Sequence, residues 1–279
     1  MPVTITIITV CYNAGKTIQQ TIESVAEQDY GNIEYIIVDG GSTDDTPAIV
    51  KRYQKYVTTY IYERDDGIYD AMNKGIQAAT GDYIQFIGAD DCLYDRSTIS
   101  RVVAHIKPGI DIFSAARISV DEKYLCEVKA GNEKARMNSE ELPWMPHTGV
   151  FVKSGLMKKM LFDTHYRIAA DMKFLLQAYY DENILFQYVD FPVAYFSLGG
   201  VSMRSKSAAE RENQQIFQEL HLLHYPYARQ RGSFFESVKD VMRAALDCVG
   251  LLGWVRCRFG AWSPHACSHR VCRWCGRSS

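Results

Sequence analysis

The stretch Tyr83-Ile84-Gln85-Phe86-Ile87-Gly88-Ala89-Asp90-Asp91 decides the fold expected for this chain. Its apolar run has the length of a buried strand and ends in two adjacent carboxylates with no basic residue beside them. Such a strand predicts a parallel sheet, whose carboxyl edge is where open α/β sheets bind ligands. Two neighbouring carboxylates repel each other, so the pair favours a divalent cation that bridges them to an anion such as a diphosphate. Helix capping by Asp91 or Asp95 is the alternative.

The composition is that of an ordinary folded core, with 47% hydrophobic and 23% charged residues among 279. The length allows one large domain, or a domain with an appendage. A formal net charge of -2 gives no reason to expect a nucleic-acid partner, and no apolar run reaches the ~18 residues of a spanning helix. The amino terminus enters strand-like sequence without a signal-peptide pattern, so we expect a cytoplasmic protein.

Strands and helices alternate along the first part of the chain. Thr4 to Val10 alternates threonine with isoleucine and valine and predicts a strand. A helix over Lys16 to Gln28 and a second buried strand over Ile33 to Val38 complete a β-α-β unit. Further elements are predicted as follows: a strand at 58–62, a helix that opens at Ile68, a helix at 97–106, a strand at 111–115 and a hairpin within 118–128.

Asp39 follows the second predicted strand and is a further acid at the same sheet edge. After the Gly40-Gly41 turn, Ser42 or Thr43 is expected to cap a helix that continues through Tyr56. Acid-bearing loops that converge in this way fit a nucleotide site, where carboxylates bind base or ribose and a metal bridges to phosphate. There is no Gly-x-Gly-x-x-Gly after the first strand and no Walker lysine loop, which disfavours dinucleotide oxidoreductases and P-loop hydrolases.

Four motifs then occur in a specific order and spacing: Thr9-Val10-Cys11-Tyr12-Asn13, Val38-Asp39-Gly40-Gly41-Ser42-Thr43-Asp44, Glu63 to Gly75, and Gly88-Ala89-Asp90-Asp91. With them the chain resembles an inverting glycosyltransferase of family 2, over residues 3 to about 215. The resemblance implies the GT-A fold, an α/β, Rossmann-like, mainly parallel sheet with helices on both faces. The Gly-Ile-Tyr-Asp-Ala-Met-Asn-Lys-Gly version resembles enzymes that assemble bacterial exopolysaccharides such as colanic acid, capsule or O-antigen.

The resemblance also implies roles for the acids. Asp39 would contact the nucleobase, as would backbone near Thr9 and Tyr12. Asp90 would face the ribose, and Asp91 would ligate Mn2+ or Mg2+ together with the donor diphosphate. The same motifs assign four more residues to nucleotide-sugar binding: Asn13, Asp65, Asn73 and Lys74.

Two of these assignments have alternatives within the chain. Many relatives carry an acid at the position of Gly88, so the Asp-x-Asp pattern is incomplete here and Asp91 is the better candidate for the metal. Asp65 and Asn73 are also explained by loop and helix capping.

Asp171 lies in Ile168-Ala169-Ala170-Asp171-Met172-Lys173-Phe174 and opens a helix predicted to run through Tyr180. In the family, the acid at this position is the general base. A sugar hydroxyl is a poor nucleophile, so a carboxylate must take its proton as it attacks the anomeric carbon. The metal meanwhile neutralises charge on the departing nucleoside diphosphate, and in-line attack inverts the configuration. A plain helix cap is the alternative for Asp171.

Two later positions complete the implied donor site. His147 precedes an apolar strand, where relatives often have a histidine near the donor phosphates; a structural histidine is the alternative. Residues 196–202 resemble a family loop that closes over the donor, with Ser202 and Arg204 as candidate diphosphate contacts, although a double glycine also suits a simple turn. The polar segment 133–142 is expected to lie over the acceptor.

The domain organisation follows from these segments. Residues 1–204 form the GT-A domain, with a nucleotide-binding part at about 1–115 and an acceptor part at about 116–204. Helices follow over 205–253, including a polar amphipathic helix at 205–223 and an apolar stripe within 234–249. The tail 254–279 mixes arginine with tryptophan and has no acid, which suits an anionic membrane surface. Its Cys267-x4-Cys272-x2-Cys275 spacing could instead form a zinc site with nearby histidines, or the tail could be disordered.

The resulting hypothesis is a metal-dependent inverting glycosyltransferase, cytoplasmic and peripheral on the inner face of the plasma membrane. It would move a sugar, UDP-linked by default, to a glycan or lipid-linked acceptor in bacterial surface polysaccharide synthesis. The alternative is a nucleotide-sugar-binding partner without turnover, which would keep Asp39 and Asp91 but lack a base; Asp171 argues against it. A nucleotidyltransferase would share the sheet and metal but release diphosphate. The sugar and linkage depend on loop shape.

Overall fold

The computed structural model describes residues 2–120, 124–128, 145–199, 206–222 and 262–264. Within these ranges the chain forms one mixed sheet of 10 strands with helices on both faces. None of the helices in these ranges is long and apolar enough to cross a membrane. Several predicted features lie outside the described residues: the segment 133–142, Ser202, Arg204, the apolar stripe within 234–249, and the tail other than Trp262–Pro264.

The amino-terminal half of the sheet is parallel, as the alternation of strands and helices predicted. Its elements are β1 (Ile5–Cys11), α1 (Ile18–Ala26), β2 (Ile33–Asp39), α2 (Thr46–Arg52), β3 (Thr59–Tyr62), α3 (Ile68–Ala78) and β4 (Tyr83–Phe86). β1 and β2 run in register from Ile5 opposite Ile33 to Cys11 opposite Asp39. The order in space is β3-β2-β1-β4. Because β1 and β2 are covered on both faces, they are apolar and β-branched almost throughout.

A mixed, mostly antiparallel extension follows. Its elements are β5 (Cys92–Leu93), α4 (Thr98–His105), β6 (Ile112–Val120), β7 (Tyr124–Val128), β8 (Val150–Lys153), α5 (Ser154–Met160), α6 (Ala170–Tyr180), β9 (Phe186–Ser197), α7 (Lys206–Glu219) and β10 (Trp262–Pro264). β8 lies between β4 and β6 and is antiparallel to both, while β9 is antiparallel to β5 and parallel to β6. The predicted hairpin is confirmed as β6–β7. Trp262–Pro264 of the tail pairs with β7.

The start of α2 differs from the prediction. Ser42 or Thr43 was expected to cap a helix that reaches Tyr56, but α2 begins only at Thr46 and ends at Arg52, before a separate 3-10 turn at Gln54–Tyr56. The Ser42 hydroxyl accepts a hydrogen bond from the loop after β1 instead. Asp44, instead of Ser42, binds the start of α2: its carboxylate accepts the Thr46 N–H at 3.0 Å.

Two apolar cores lie on opposite faces of the sheet. One packs α1, α2 and α4 against it, with Ile18, Ile49 and Ile99 buried. The other packs α3, α5, α6 and α7, and it contains Ile76 and Phe174. Each helix contributes one apolar side. Both faces of the sheet are therefore covered, and the loops at its carboxyl edge lie between the helices of the two faces. The predicted fold class is confirmed.

Glu34 closes the opposite, amino edge of the sheet. Its buried carboxylate on β2 accepts four hydrogen bonds: from Thr6 Oγ1 at 2.6 Å, from Thr80 N and Oγ1 at 2.8 and 2.7 Å, and from Gly81 N at 3.2 Å. Burial would raise the pKa of Glu34, but these donors outweigh it and hold the pKa below its ordinary value. The carboxylate therefore ties β1, β2 and the approach to β4 together.

We expect Glu34→Gln to lower the free energy of unfolding at pH 7 by about 1–3 kcal/mol, because the amide accepts fewer hydrogen bonds and adds an unmatched donor. A lowered carboxyl pKa stabilises the fold above the unfolded pKa of about 4.3, and this contribution is lost as the pH falls through the folded pKa. The deficit of the variant should therefore shrink on acidification. Urea unfolding of the parent and the variant at pH 7 and pH 4 measures this difference in the free energy of unfolding. Glu27→Gln, at an exposed carboxylate, is the control, and equal losses in both variants would contradict the assignment.

Candidate active site

Asp39 is fully buried at the end of β2, where the parallel strands present their carboxyl ends. Its Oδ1 accepts the N–H groups of Gly41 at 3.1 Å and Ser42 at 2.7 Å. Its Oδ2 accepts the hydroxyl of Tyr60, on the neighbouring strand β3, at 2.9 Å. Burial raises the pKa of Tyr60, and the hydrogen bond to Asp39 raises it further, so this hydroxyl remains a donor. Three of the carboxylate's acceptor positions are thus occupied by the protein.

Asn13 connects the loop after β1 to the loop after β2. Its N–H donates to Ser42 Oγ at 2.8 Å, and its Oδ1 accepts the N–H of Thr43 at 2.9 Å. Asn13 has a φ of 50°, in the left-handed region that asparagine tolerates better than most residues. Tyr12, immediately before it, is 64% exposed. The two loops therefore form one hydrogen-bonded rim that carries an exposed aromatic ring beside Asp39.

Asp65 reaches the same edge from the loop after β3. Its Oδ1 accepts the N–H of Gly67 at 3.0 Å, and a Cβ on Gly40 would lie 2.2 Å from its Oδ2. Gly40 is required there because any side chain would displace this carboxylate. Lys74 of α3 lies behind the loop, where its Nζ is 2.9 Å from Glu63 Oε1. The structure thus brings Asp39 and Asp65 together and pairs Lys74 with the loop itself.

Two other predicted contacts have protein partners in this structure. The side chain of Thr9 is fully buried and hydrogen-bonded to the Tyr35 hydroxyl at 3.1 Å, so only its backbone lies near the edge. The amide of Asn73 donates to the carbonyl of Phe162 and accepts its N–H, both at 2.9 Å. Asn73 therefore fastens α3 to the segment before α6.

Asp90 and Asp91 follow β4 and converge on the space above Gly88. A Cβ at Gly88 would lie 2.7 Å from Asp91 Oδ2 and 3.1 Å from Asp90 Oδ1, so the missing side chain leaves an oxygen-lined cradle. Asp91 is 3% exposed, and its Oδ1 accepts the N–H of Ser197, at the end of β9, at 2.8 Å. Burial, followed by the charge of Asp90, raises the pKa of Asp91 to about 7.

This cradle has the donor chemistry of a hard divalent cation. Carboxylate oxygens suit Mg2+ and Mn2+, and a cation would relieve the repulsion that raises the pKa of Asp91. In the ranges described, no group of three or more His, Cys, Asp or Glu side chains is arranged to hold a metal. An ion bound by one or two carboxylates takes its remaining ligands from phosphate and water. Asp91, with Asp90 beside it, therefore fits a metal that arrives with a diphosphate.

Asp171 lies in the first turn of α6, but it does not cap that helix. Its Oδ1 accepts the Tyr69 hydroxyl at 2.8 Å, and its Oδ2 is 3.4 Å from His147 Nδ1. The backbone N–H groups of Ile168 and Ala169 are instead bound by Glu212 of α7. The carboxylate of Asp171, 27% exposed, is therefore directed at side chains across the cleft, and the capping alternative does not describe it.

His147 stands between Asp171 and the sheet. Its ring stacks on Phe86 of β4, with 5.9 Å between ring centroids. Burial lowers the pKa of His147; the charge of Asp171 opposes this shift and that of Arg117 adds to it. A neutral imidazole is thus favoured at neutral pH, and it can donate to the carboxylate without forming a full ion pair. A small cavity lined by His147, Asp171 and apolar side chains adjoins the pair.

Sequence reasoning missed three residues that the fold brings to this cleft: Tyr69, Arg117 and Glu212. Arg117 of β6 packs over the Phe196 ring at 3.9 Å, and its charge lowers the pKa of both Asp91 and His147. The positive charge of Arg117 therefore acts on both Asp91 and His147. Tyr69 lay inside a recognised motif without a role, and the partners of Glu212 lie more than 40 positions away in the sequence. The sequence gives no local signal for either contact.

The glycosyl transferase family 2 model matches residues 6–165. A relative from Mycobacterium bovis (strain BCG / Pasteur 1173P2), a PGL/p-HBAD biosynthesis glycosyltransferase, is 29% identical over 199 residues, which cover 68% of this chain and 75% of the relative. The putative glycosyltransferase EpsH of Bacillus subtilis (strain 168) is 37% identical over 89 residues, 31% of this chain and 26% of that protein.

Solved structures share the fold. Mannosyltransferase PcManGT from Pyrobaculum calidifontis, in complex with GDP-Man and Mn2+, superposes with a TM-score of 0.63 at 18% identity, over 89% of this chain and 81% of that one. S. aureus TarS 1-349 in complex with UDP gives 0.59 at 20% identity, over 80% of this chain and 66% of that one. Both likenesses concern the fold. Since the family match covers more than half of the 279 residues, the chain belongs to glycosyl transferase family 2, with the GT-A fold.

Proposed function

We propose that this glycosyltransferase is metal-dependent and inverting, and that Asp171 is its general base. The observation that carries the proposal is the direction of the Asp171 carboxylate, which faces Tyr69 and His147 in a cleft, while Glu212 binds the backbone N–H groups just before the helix. A helix-capping acid has no need of such partners, whereas a base must be held open toward its substrate.

In the proposed reaction, an acceptor hydroxyl gives its proton to Asp171 while its oxygen bonds to the anomeric carbon. The bond from that carbon to the diphosphate breaks on the opposite face, and the nucleoside diphosphate leaves with the electron pair, so the configuration inverts. Tyr69 donates to Oδ1 and thereby fixes the orientation of the carboxylate. When bound at Asp91, a divalent cation would neutralise charge on the leaving diphosphate.

We propose a uracil or thymine nucleotide as the donor carrier, with UDP as the default. A carboxylate offers about four acceptor positions, and Asp39 has given three to Gly41, Ser42 and Tyr60. The position that remains, on Oδ2, suits the single imide N–H of uracil. Guanine offers two adjacent donors on one edge, which would need both carboxylate oxygens. The TarS structure contains UDP, although PcManGT contains GDP-Man.

For the acceptor, we propose a glycan or lipid-linked saccharide of the bacterial surface. Support comes from the Gly-Ile-Tyr-Asp-Ala-Met-Asn-Lys-Gly motif, which resembles enzymes of bacterial exopolysaccharide assembly, and from the likeness to a PGL/p-HBAD biosynthesis glycosyltransferase. Lipid-linked acceptors reside at a membrane, so we further propose that the enzyme works at the inner face of the plasma membrane. The arginine- and tryptophan-containing tail is consistent with peripheral attachment there.

The first test is Asp171→Asn. The amide keeps the size of the side chain but cannot accept the proton, so we expect turnover to fall by roughly 10²–10⁴-fold while Mn2+-dependent affinity for the nucleoside diphosphate stays unchanged. Sugar transfer and isothermal titration on the same preparation measure both. Glu182→Gln, at an exposed acid beyond the far end of α6, is the control. Normal turnover by Asp171→Asn would refute the assignment of the base and place the base elsewhere, whereas a parent protein that binds the donor but transfers no sugar would favour a non-catalytic binding protein.

The second test uses the pH dependence of metal binding. Because the pKa of Asp91 is raised to about 7, the cation must displace a proton below that pH. Affinity for Mn2+ plus nucleoside diphosphate should therefore fall by about tenfold per unit below pH 7 and level off above it. Titrations from pH 5.5 to 8.5 measure this. Asp91→Asn should bind weakly at every pH and transfer no sugar; full activity of the parent in excess chelator would contradict metal dependence.

The raised pKa of Asp91 also makes the stability of the fold depend on pH. Stability should fall as the pH rises, whereas metal affinity should increase. A raised carboxyl pKa means that the folded protein holds the proton more tightly than the unfolded chain, so ionisation of Asp91 destabilises the fold as the pH rises from about 4 to 7. In chelator, Asp91→Asn should therefore gain stability relative to the parent across that interval, and Mn2+ with the diphosphate should remove the gain. Thermal unfolding at pH 5 and 8 provides the comparison.

The third test concerns the nucleotide. We expect UDP to bind at least about tenfold more tightly than GDP, a difference of about 1.4 kcal/mol. Tyr60→Phe frees a position on Asp39 Oδ2 and should narrow this ratio several-fold. Tyr62→Phe is the matched control, because its hydroxyl donates to the Ser42 carbonyl and not to Asp39. Competition titrations with both diphosphates give the ratios, and equal ratios in the two variants would exclude Tyr60 as a selectivity determinant.

A further inference from the structure

Glu212 of α7 binds the start of α6 through three consecutive backbone N–H groups. Its Oε1 accepts the N–H of Arg167 at 2.8 Å, and its Oε2 accepts those of Ile168 and Ala169 at 2.8 and 2.9 Å. Ala169 is the N-cap residue of α6, which begins at Ala170, and Arg167 and Ile168 lie just before it, so Glu212 holds the backbone that leads into the helix. Here the acceptor is a carboxylate from a helix more than 40 positions further along the chain, and an anion is favourable at a helix amino terminus.

A second contact fixes α7 two turns further on. Glu219 accepts hydrogen bonds from Lys173 Nζ at 2.6 Å and from the Tyr166 hydroxyl at 2.7 Å. Lys173, a residue of α6, is only 7% exposed in its side chain and also binds Asp163 at 2.7 Å. Between the two acids, Ile216 is fully buried. Residues 212, 216 and 219 lie on one side of a helix, so this side of α7 is docked on α6 at both ends.

The path from Glu212 to Asp171 is short. Glu212 holds the backbone of Ile168, and the Ile168 carbonyl accepts the same Tyr69 hydroxyl, at 2.7 Å, that donates to Asp171 Oδ1. A shift of the 167–169 backbone would therefore move Tyr69 and Asp171 together. Without Glu212, the exposed N–H groups would also compete for the Asp171 carboxylate, since aspartate is itself a preferred partner of such groups.

We propose that Glu212 is a positioning residue for Asp171, which rests on the proposed role of Asp171 as the base. Glu212 holds the backbone of residues 167–169, just before α6, so that the Asp171 carboxylate stays directed at Tyr69 and the acceptor. It touches no substrate in this role. α7 is thus part of the catalytic unit, although it lies outside the residues that the family match covers.

The experiment compares Glu212→Ala, Glu212→Gln and the control Glu182→Gln in the full chain. A misplaced base slows the chemical step but leaves donor binding intact, so Glu212→Ala should lower kcat by roughly 10- to 100-fold, with unchanged donor KM and unchanged affinity for nucleoside diphosphate and Mn2+. The Gln variant keeps one oxygen that can accept two of the three N–H groups, so its kcat should lie between those of the Ala variant and the parent. Rates are divided by the concentration of nucleotide-binding sites, so a loss of folded protein does not lower the measured kcat.

A double variant separates positioning from other effects. Asp171→Asn combined with Glu212→Ala should be no slower than Asp171→Asn alone, because a misplaced base and an absent base are equivalent. The proposal is overturned if Glu212→Ala keeps kcat within about twofold of the parent, if donor affinity falls as much as kcat, or if the two losses multiply. Should Glu212→Ala not fold, the same cycle is run with Glu212→Gln. Normal turnover by Asp171→Asn alone refutes the proposed base, whereas a dead Asp171→Asn with an unaffected Glu212 variant refutes only this inference.

Discussion

A buried carboxylate must be met by hydrogen-bond donors or by a cation, and this requirement organises the molecule. Burying an ionised group without partners is far more costly than the stability of a domain can support. The buried acids Glu34, Asp39 and Asp91, and the partly exposed Glu212, all accept backbone N–H groups from segments outside their own element. Each of these acids therefore joins parts of the chain that the sheet alone would leave independent.

The acids differ in how completely the protein satisfies them, and the difference separates Glu34 from the proposed metal ligand Asp91. Glu34 has four donors and a lowered pKa, so nothing further is needed to keep it ionised. Asp91 has the N–H of Ser197 at 2.8 Å, that of Gly88 at 3.3 Å, and a second acid beside it, and its pKa is raised to about 7. The unbalanced charge at Asp91 is a cost to the fold that a metal with its diphosphate would remove.

The sequence predicted most of what depends on local patterns. The apolar, β-branched runs of β1 and β2 and the helical spacing of α1 were each placed within two or three residues of their ends. The start of α2 was wrong, because Ser42 serves the Asn13 loop rather than the helix. Asn73 was assigned to nucleotide-sugar binding, with capping as the alternative; its amide is bound to Phe162, 89 positions away, and no spacing rule reports such a contact. The acids of the site were recognisable from motifs, whereas Tyr60, Arg117 and Glu212 acquire their roles only from tertiary packing.

The antiparallel placement of β8 beside β4 shows how one sheet can bring the proposed donor site and the proposed base together. The parallel strands bring Asp39 and Asp91 to one edge, where a nucleotide would lie. β8 then inserts beside β4 in the opposite direction, so the segment just before it carries His147 onto Phe86 at that same edge. α6 delivers Asp171 to His147 from the other side. A wholly parallel sheet would need a long crossover to place a group there, whereas an antiparallel neighbour begins at the edge where β4 ends, which puts the proposed base Asp171 on the same side as the proposed donor site.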